Sequence, residues 1–423
     1  MRYLKRILRT QQFKNGVWLY ILQFFQMIIP LMTFPYVTRV LGAELYGDFS
    51  IALVVITYIQ ILVEYGFNYS GTRKLALLDK DTYSEIYSNV FGAKVILSII
   101  SIIIIIIIFG ISEYSEIQKA CMLCLIGIIV GSLLQQTWVF QGLQQMKYIT
   151  LANVIARVIS VILIFLFVRD SKDLLLYCFL YASTNVISGF ISIFICKKQF
   201  GLRLSYYGIK KIDKELKDGF SLFLTSAMAK IVASIGTLFL GIYVSSYEVG
   251  IYSAVQKIPN IMVMCYSPIG QVLFPYAAKL FCENRIAAKR MVKILCGPTM
   301  GLVALICALI AIFAKPIIRF LCGSEYLSGS KYLYILLIWT FFSIFNNVLG
   351  SLILVASGRS KQYTTCFVIS VFFAILLNYI LAINYSCMGV AFATLISECL
   401  LTAMIILTII VHMKEIFGYG FLG

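Results

Sequence analysis

Charge is scarce in this chain, and histidine is all but missing. Of 423 residues only 13% are charged, and one, His412, is a histidine. So little charge cannot clothe a water-facing surface, while 61% hydrophobic residues and a mean hydropathy of +0.94 exceed what a soluble core can hide. The solvent of such a chain is lipid. A single imidazole cannot supply a histidine-based catalytic or metal site, and neither H-E-x-x-H nor G-x-x-x-x-G-K-[ST] occurs in the sequence. The second absence excludes ATP binding in the manner of an ABC motor domain, so no cofactor is expected and any work must draw on gradients or substrate flux. Acidic residues are few as well, 18 against 35 basic, for a net charge of +17. That excess would suit nucleic acid, but the basic residues sit in short loops between apolar runs, where retention at the cytoplasmic face explains them and no nucleic acid is needed. The 12 cysteines show no disulfide framework. Cys121 and Cys124 form a CxxC inside an apolar run, which reads as small buried side chains rather than a redox or zinc site.

Long apolar runs are what the chain has in quantity. They fall at about residues 16–40, 47–67, 88–109, 117–140, 149–168 and 174–195, then at 219–244, 250–273, 292–314, 332–356, 363–383 and 388–411. Each reaches the roughly 20 residues a membrane helix needs, so the expected fold is an all-α integral membrane protein with 12 transmembrane helices. Before them Arg2, Lys5, Arg6, Arg9 and Lys14 alternate with Leu4, Ile7 and Leu8 at helical spacing. Residues 1–15 therefore read as an amphipathic segment on the inner leaflet, with no small-residue cleavage site behind it. Residues 197–218 form a basic cytoplasmic connector between an N-lobe (16–196) and a C-lobe (219–423). Arg39, Lys119, Arg169, Lys172, Lys315, Arg319 and Lys331 are the only basic residues assigned to outer loops, so both termini are expected in the cytoplasm.

The stretch Pro35–Tyr46, continued by Gly47, Asp48, Phe49 and Ser50, has a counterpart between Tyr243 and Pro259. Setting Gly47 on Gly250 aligns LYGDFS with EVGIYS at an offset of 203 residues, nearly half the chain. A weaker echo relates Gly142, Lys147 and Tyr148 to Gly358, Gln362 and Tyr363. Such a repeat reads as two related lobes, and repeat-built transporters place their substrate where the repeats meet.

A cation at the bilayer centre costs about 2.5–3.5 kcal/mol, so it persists only for a reason. Lys230 lies about halfway along its span, and Ser226, Lys230, Ser234 and Thr237 share one helical face suited to a wet path. Neither its own span nor the next offers a carboxylate to neutralise it. The pattern repeats in Ser253, Lys257 and Asn260 and in Asn153, Arg157 and Ser160, while the first span offers Gln23, Gln26, Thr33 and the helix-bending Pro30. Lys230, Lys257, Arg157, Arg39, Asn260, Gln23 and Gln26 are the candidate substrate-binding residues; beside that reading stands a deprotonated structural lysine for Lys230, an ion pair near Glu44 and Asp48 or an interfacial anchor for Arg39, and an ion pair within its lobe for Arg157. Glu398 and Glu64 are candidates for proton or sodium coupling, or hydrogen-bonded carboxyls without that role. Lys94, six residues inside its span, reads as snorkelling to the inner interface. Gly127–Gly131 and Gly297–Gly301 have the GxxxG spacing of close helix packing.

The stretches PYVTRVLGAELYG, FNYSGTRKLAL (Phe67–Leu77), WVFQGLQQMKYITL (Trp138–Leu151), EVGIYSAVQKIP and KPIIRFLCGSEY (Lys315–Tyr326) resemble, nearly end to end and in order, the polysaccharide-export flippases. These are the Wzx-type members of the multidrug/oligosaccharidyl-lipid/polysaccharide exporter superfamily. The resemblance implies two six-helix lobes around a central cavity. It also implies an undecaprenyl-diphosphate-linked oligosaccharide substrate, as for O-antigen or capsule, moved from the cytoplasmic to the outer leaflet of a bacterial inner membrane. Membrane lipids, and a polymerase with its chain-length machinery, are the implied partners. Lipid II flippases of the superfamily carry two further helices, which this chain lacks. A drug or small-molecule exporter of the superfamily is the alternative, although its pocket would favour carboxylates for cationic substrates. A membrane polysaccharide polymerase, an enzyme, would need a larger outer loop than residues 315–331.

Overall fold

The computed structural model describes residues 11–77 and 80–417. The amphipathic segment expected over residues 1–15 lies outside the described residues up to residue 10. The described chain is helical, with no strand: α1 (Gln11–Glu64), α2 (Phe67–Leu77), α3 (Tyr83–Ile111), α4 (Glu116–Leu125), α5 (Gly127–Leu134), α6 (Thr137–Gly142), α7 (Met146–Phe167), α8 (Leu174–Phe200), α9 (Ile209–Tyr243), α10 (Ser246–Glu283), α11 (Arg285–Ile312), α12 (Ala314–Leu321), α13 (Ser330–Asn347), α14 (Ser360–Val411) and α15 (Met413–Phe417). A π-helical stretch, Val348–Val355, extends α13.

Eight stretches among the described residues are long and apolar enough to cross a membrane. Two of them, Lys14–Leu77 with 64 residues and Ser360–Val411 with 52, are double length. A straight helix of that size would run roughly 80 Å against a hydrocarbon core of about 30 Å. Each is broken between its two apolar runs. In α1 the break is Gly42 (φ 75°, ψ 173°), a conformation open to glycine, inside the turn expected between the first two runs. In α14 it is Ser386 (φ 50°, ψ −137°), between the last two. The run expected at 117–140 is divided instead into α4, α5 and α6.

The chain forms two compact units, Met1–Ser234 and Ile235–Gly423. The sequence reading placed its link at 197–218, some turns earlier. Polar and aromatic contacts account for the difference, because they fasten the first half of α9 to the first unit. Lys74 pairs with Glu215 (2.8 Å) and Asp218 (2.7 Å), and Lys211 pairs with Glu85 (2.6 Å). Tyr65 stacks on Phe223 with ring centroids 4.7 Å apart.

In the first unit the core gathers Phe67, Tyr87, Trp138 and Phe140, all nearly or wholly buried. Two of the motif stretches meet there: Thr72 Oγ1 donates to the Trp138 carbonyl (3.1 Å), and Gly71 lies so close under the indole that a Cβ would sit 2.6 Å from it. The second unit has its own core around Tyr266, Phe281, Ile344 and Leu352. Phe49 and Tyr252, equivalent at the 203-residue offset, are each buried in their own unit. Phe49 packs on Tyr177 (4.8 Å) and Tyr252 on Tyr332 (5.8 Å). The approaches differ: a helix break at Gly42 precedes the first, whereas Ser245 caps α10 before the second by accepting from the Glu248 N–H.

The two GxxxG stretches also part company. A Cβ on Gly131 would lie 2.4 Å from the Asn185 Cβ, and one on Gly127 3.1 Å from the Ala182 Cβ, so α5 and α8 are in backbone contact. Gly297 and Gly301 meet nothing within 4 Å. Their spacing is present, but no helix of the described structure uses it.

Candidate functional site

Three charged residues of the first unit, far apart in sequence, converge. Glu64 ends α1, and the next two residues turn sharply, Tyr65 at φ 41° and Gly66 at φ 72°. Gly66 lies directly on α9: a Cβ there would be 2.9 Å from the Phe223 nitrogen. Lys230 is two turns further along α9, about 10 Å at 1.5 Å per residue, and helical side chains lean back toward their own N-terminus. The two side chains therefore meet, Lys230 Nζ lying 2.7 Å from Glu64 Oε2. The carboxylate that meets Lys230 comes from the second apolar run, not from the lysine's own run or the next. Both side chains keep some exposure, 36% for Lys230 and 29% for Glu64, so the pair opens to one side and is not sealed in the core.

Around this pair lies a polar network that the sequence reading did not assemble. Gln60 Nε2 donates to Glu64 Oε1 (2.9 Å) and to Ser132 Oγ (2.8 Å). Lys94 is buried and donates to the carbonyls of Ser132 (2.8 Å) and Gln135 (2.9 Å), correcting the snorkelling role. The cause is the break after α5. Its last carbonyls have no intrahelical partner, and an ammonium and an amide supply donors there. Lys94 takes two of them, and Gln136 Nε2 donates to the carbonyls of Leu133 (3.2 Å) and Leu134 (3.1 Å). Gln60 links the parts of this network, since its amide reaches both Glu64 and the side chain of Ser132, whose backbone carbonyl holds Lys94. The spacing of Gln60 and Glu64, one helical turn, was legible; the break that recruits Lys94 had no sequence signal.

The remaining candidates fall elsewhere. Arg157 is half-buried on α7, its Nη1 3.5 Å from the Gln26 carbonyl, and Gln23 and Gln26 are half-buried on α1. The polar stripe expected beside Arg157 is partly absorbed by packing: Asn153 donates to the Ile149 carbonyl, and Ser160 is buried against Thr184 (2.8 Å). Arg39 is exposed on α1, while Asp48 is buried and accepts from Gln118 Nε2 (2.9 Å). In the second unit Lys257 is half-buried and Asn260 exposed, both on α10. Glu398, on α14, accepts from Trp339 Nε1 (3.2 Å) and Asn346 Nδ2 (2.8 Å). It is thus a carboxyl with two donors already in place. The described cysteines are free, and no group of acidic, histidine or cysteine side chains among the described residues is arranged to hold a metal.

Comparison with known proteins extends these observations. Residues 13–281 match the family model described as polysaccharide biosynthesis protein. A protein of Escherichia coli (strain K12) named "Putative O-antigen transporter" is 25% identical over 398 residues, covering 93% of this chain and 95% of its own length. Its namesake from Shigella dysenteriae is 26% identical, over 92% of this chain and 97% of its own. Among solved structures, one described as "Lipid II flippase MurJ, inward closed conformation" superposes with a TM-score of 0.74 at 17% identity, covering 92% of this chain and 87% of that one. The fold is shared with that structure; the identity is too low to carry more.

Proposed function

The chain belongs to the polysaccharide biosynthesis protein family, and on that premise we propose that it is a flippase rather than an enzyme, moving an undecaprenyl-diphosphate-linked oligosaccharide from the cytoplasmic to the outer leaflet. The observation that carries this reading is the charge balance of the network: Lys230 holds its one carboxylate, Glu64, while the buried Lys94 donates to carbonyls alone, among apolar helices. An uncompensated cation in that setting suits an anionic substrate and is the wrong sign for a cationic drug. The end-to-end likeness to the O-antigen transporters supports the same class. The head group enters from the cytoplasm and its phosphates meet Lys230, with Arg157 and Lys257 as further ligands, while the prenyl tail stays in lipid. Closure on one side and opening on the other then follow by alternating access. Glu398 and Glu64 are the carboxylates for a coupling ion.

The proposed architecture has 12 spans in two six-helix lobes. The eight apolar stretches include two that cross twice, and α9 and α10, of 35 and 38 residues, add the remaining two. Both ends then lie in the cytoplasm of a bacterial cell, at the inner membrane, where a polymerase and its chain-length machinery would take over the product. A reporter active only outside the cytoplasm should be silent when fused after His412 and active at Ser112, in the non-helical link between α3 and α4. The reverse pattern would overturn the orientation.

The function itself is tested in vesicles holding the purified protein and a fluorescent undecaprenyl-diphosphate oligosaccharide. Accelerated loss of the inner-leaflet pool relative to protein-free vesicles is expected. Extrusion of a cationic dye with no movement of any lipid-linked sugar would favour the drug exporter instead.

A further inference from the structure

One carboxylate, Glu64, cannot neutralise both lysines of its network. Its Oε2 lies on Lys230 and its Oε1 on Gln60, whose amide also reaches Ser132 Oγ, while Lys94 holds the Ser132 backbone carbonyl. An ammonium has three donors, and Lys94 spends two on the carbonyls of Ser132 and Gln135. One donor and one unit of positive charge are left over in the network. A buried charge without compensation is costly, so a state in which an anion supplies the missing charge is favoured.

We propose that Glu64 is an exchangeable counter-ion: it holds Lys230 in the unloaded protein, yields that ammonium to a phosphate oxyanion, and falls back on Lys94 through the Gln60–Ser132 bridge. The proposal rests on the flippase reading for its substrate, and it makes Glu64 and Lys94 positioning residues, with Lys230 the ligand. The exchange moves no covalent bond and needs only a shift of the carboxylate along the Gln60–Ser132 bridge, from one ammonium group toward the other. The partial exposure of Lys230 is what lets an anion reach it. Lys94 is buried and out of such an anion's reach.

The experiment uses the purified full-length protein and inorganic pyrophosphate, which presents the diphosphate group without the sugar or the prenyl tail. Occupancy is read as protection of the Lys230 amine from an amine-acylating reagent, located by peptide mass spectrometry. Wild type should be protected. In Glu64→Gln, which keeps shape while removing the competing charge, half-protection should need about tenfold less pyrophosphate, a discounted share of the Coulomb energy of one close ion pair. In Lys94→Met it should need about tenfold more. Unchanged or weaker binding by Glu64→Gln overturns the exchange, as does absence of protection in wild type and variants alike. Because Glu64→Gln is isosteric, it decides the matter even where Lys94→Met fails to accumulate. Protection that shifts as stated, without flipping in vesicles, would remove the flippase reading and leave the counter-ion exchange standing; flipping with no shift in Glu64→Gln would do the opposite.

Discussion

Lys230→Ala is expected to abolish polymer export while the protein stays in the membrane at close to wild-type abundance. A diphosphate head carries about two negative charges, and one unit pair at 4 Å contributes roughly 4 kcal/mol at an effective dielectric near 20. Partial exposure of the lysine reduces that figure, but even half of it is about thirtyfold in occupancy, a factor of 10 being about 1.4 kcal/mol. Folding should survive, because the carboxylate left behind keeps its Gln60 hydrogen bond and is partly exposed. The same survival separates a lost ligand from a lost fold. Lys230→Arg should retain partial transport: charge is kept, whereas the planar guanidinium cannot reproduce the single short contact to Glu64. Export at the wild-type level by a well-accumulated Lys230→Ala protein would sink the assignment of Lys230 as ligand and move it to Arg157 and Lys257.

That prediction depends on a contact spanning 166 positions, and this explains why only half of the site was legible. Lys230 announces itself in sequence because a cation inside an apolar run is costly wherever the chain folds. Its counter-ion does not, since nothing in Glu64 says which of the other runs it will face. The Tyr65–Gly66 turn and the seat of Gly66 on Leu222 and Phe223 decide it, and these are tertiary facts. Lys94 was misjudged for a related reason. Snorkelling assumes an unbroken neighbour with satisfied carbonyls, whereas the break after α5 presents carbonyls inside the unit that accept from the Lys94 ammonium. The lipid-facing class was legible throughout, because composition alone fixes the solvent; α3, with Ile99, Ile103, Ile106 and Ile107 exposed, still shows it. So was the position of the breaks at Gly42 and Ser386, each between two runs whose combined length no bilayer can hold.

The GxxxG stretches show where sequence spacing stops being evidence, and they supply the second large effect. Gly131→Leu should strongly lower the amount of folded protein in the membrane and its melting temperature in detergent. The new Cβ alone would fall 2.4 Å from the Asn185 Cβ and 2.5 Å from the Asn185 carbonyl carbon, so backbone rather than a flexible side-chain end must give way. Gly189 makes the reciprocal approach, with a Cβ there 2.5 Å from the Leu134 Cβ, and α5 and α8 cannot separate at one point without losing both. Overpacking of a close-packed interior typically costs about 1–3 kcal/mol and more when backbone has to move. Separation would also carry the Ser132 and Gln135 carbonyls away from Lys94, leaving that ammonium buried without acceptors. The internal control is Gly301→Leu, at the same GxxxG spacing but with nothing within 4 Å, where an added apolar side chain should leave abundance and melting nearly unchanged. Equal damage at the two positions, or none at Gly131, would mean that the close seat of α5 on α8 is not what holds the first unit together.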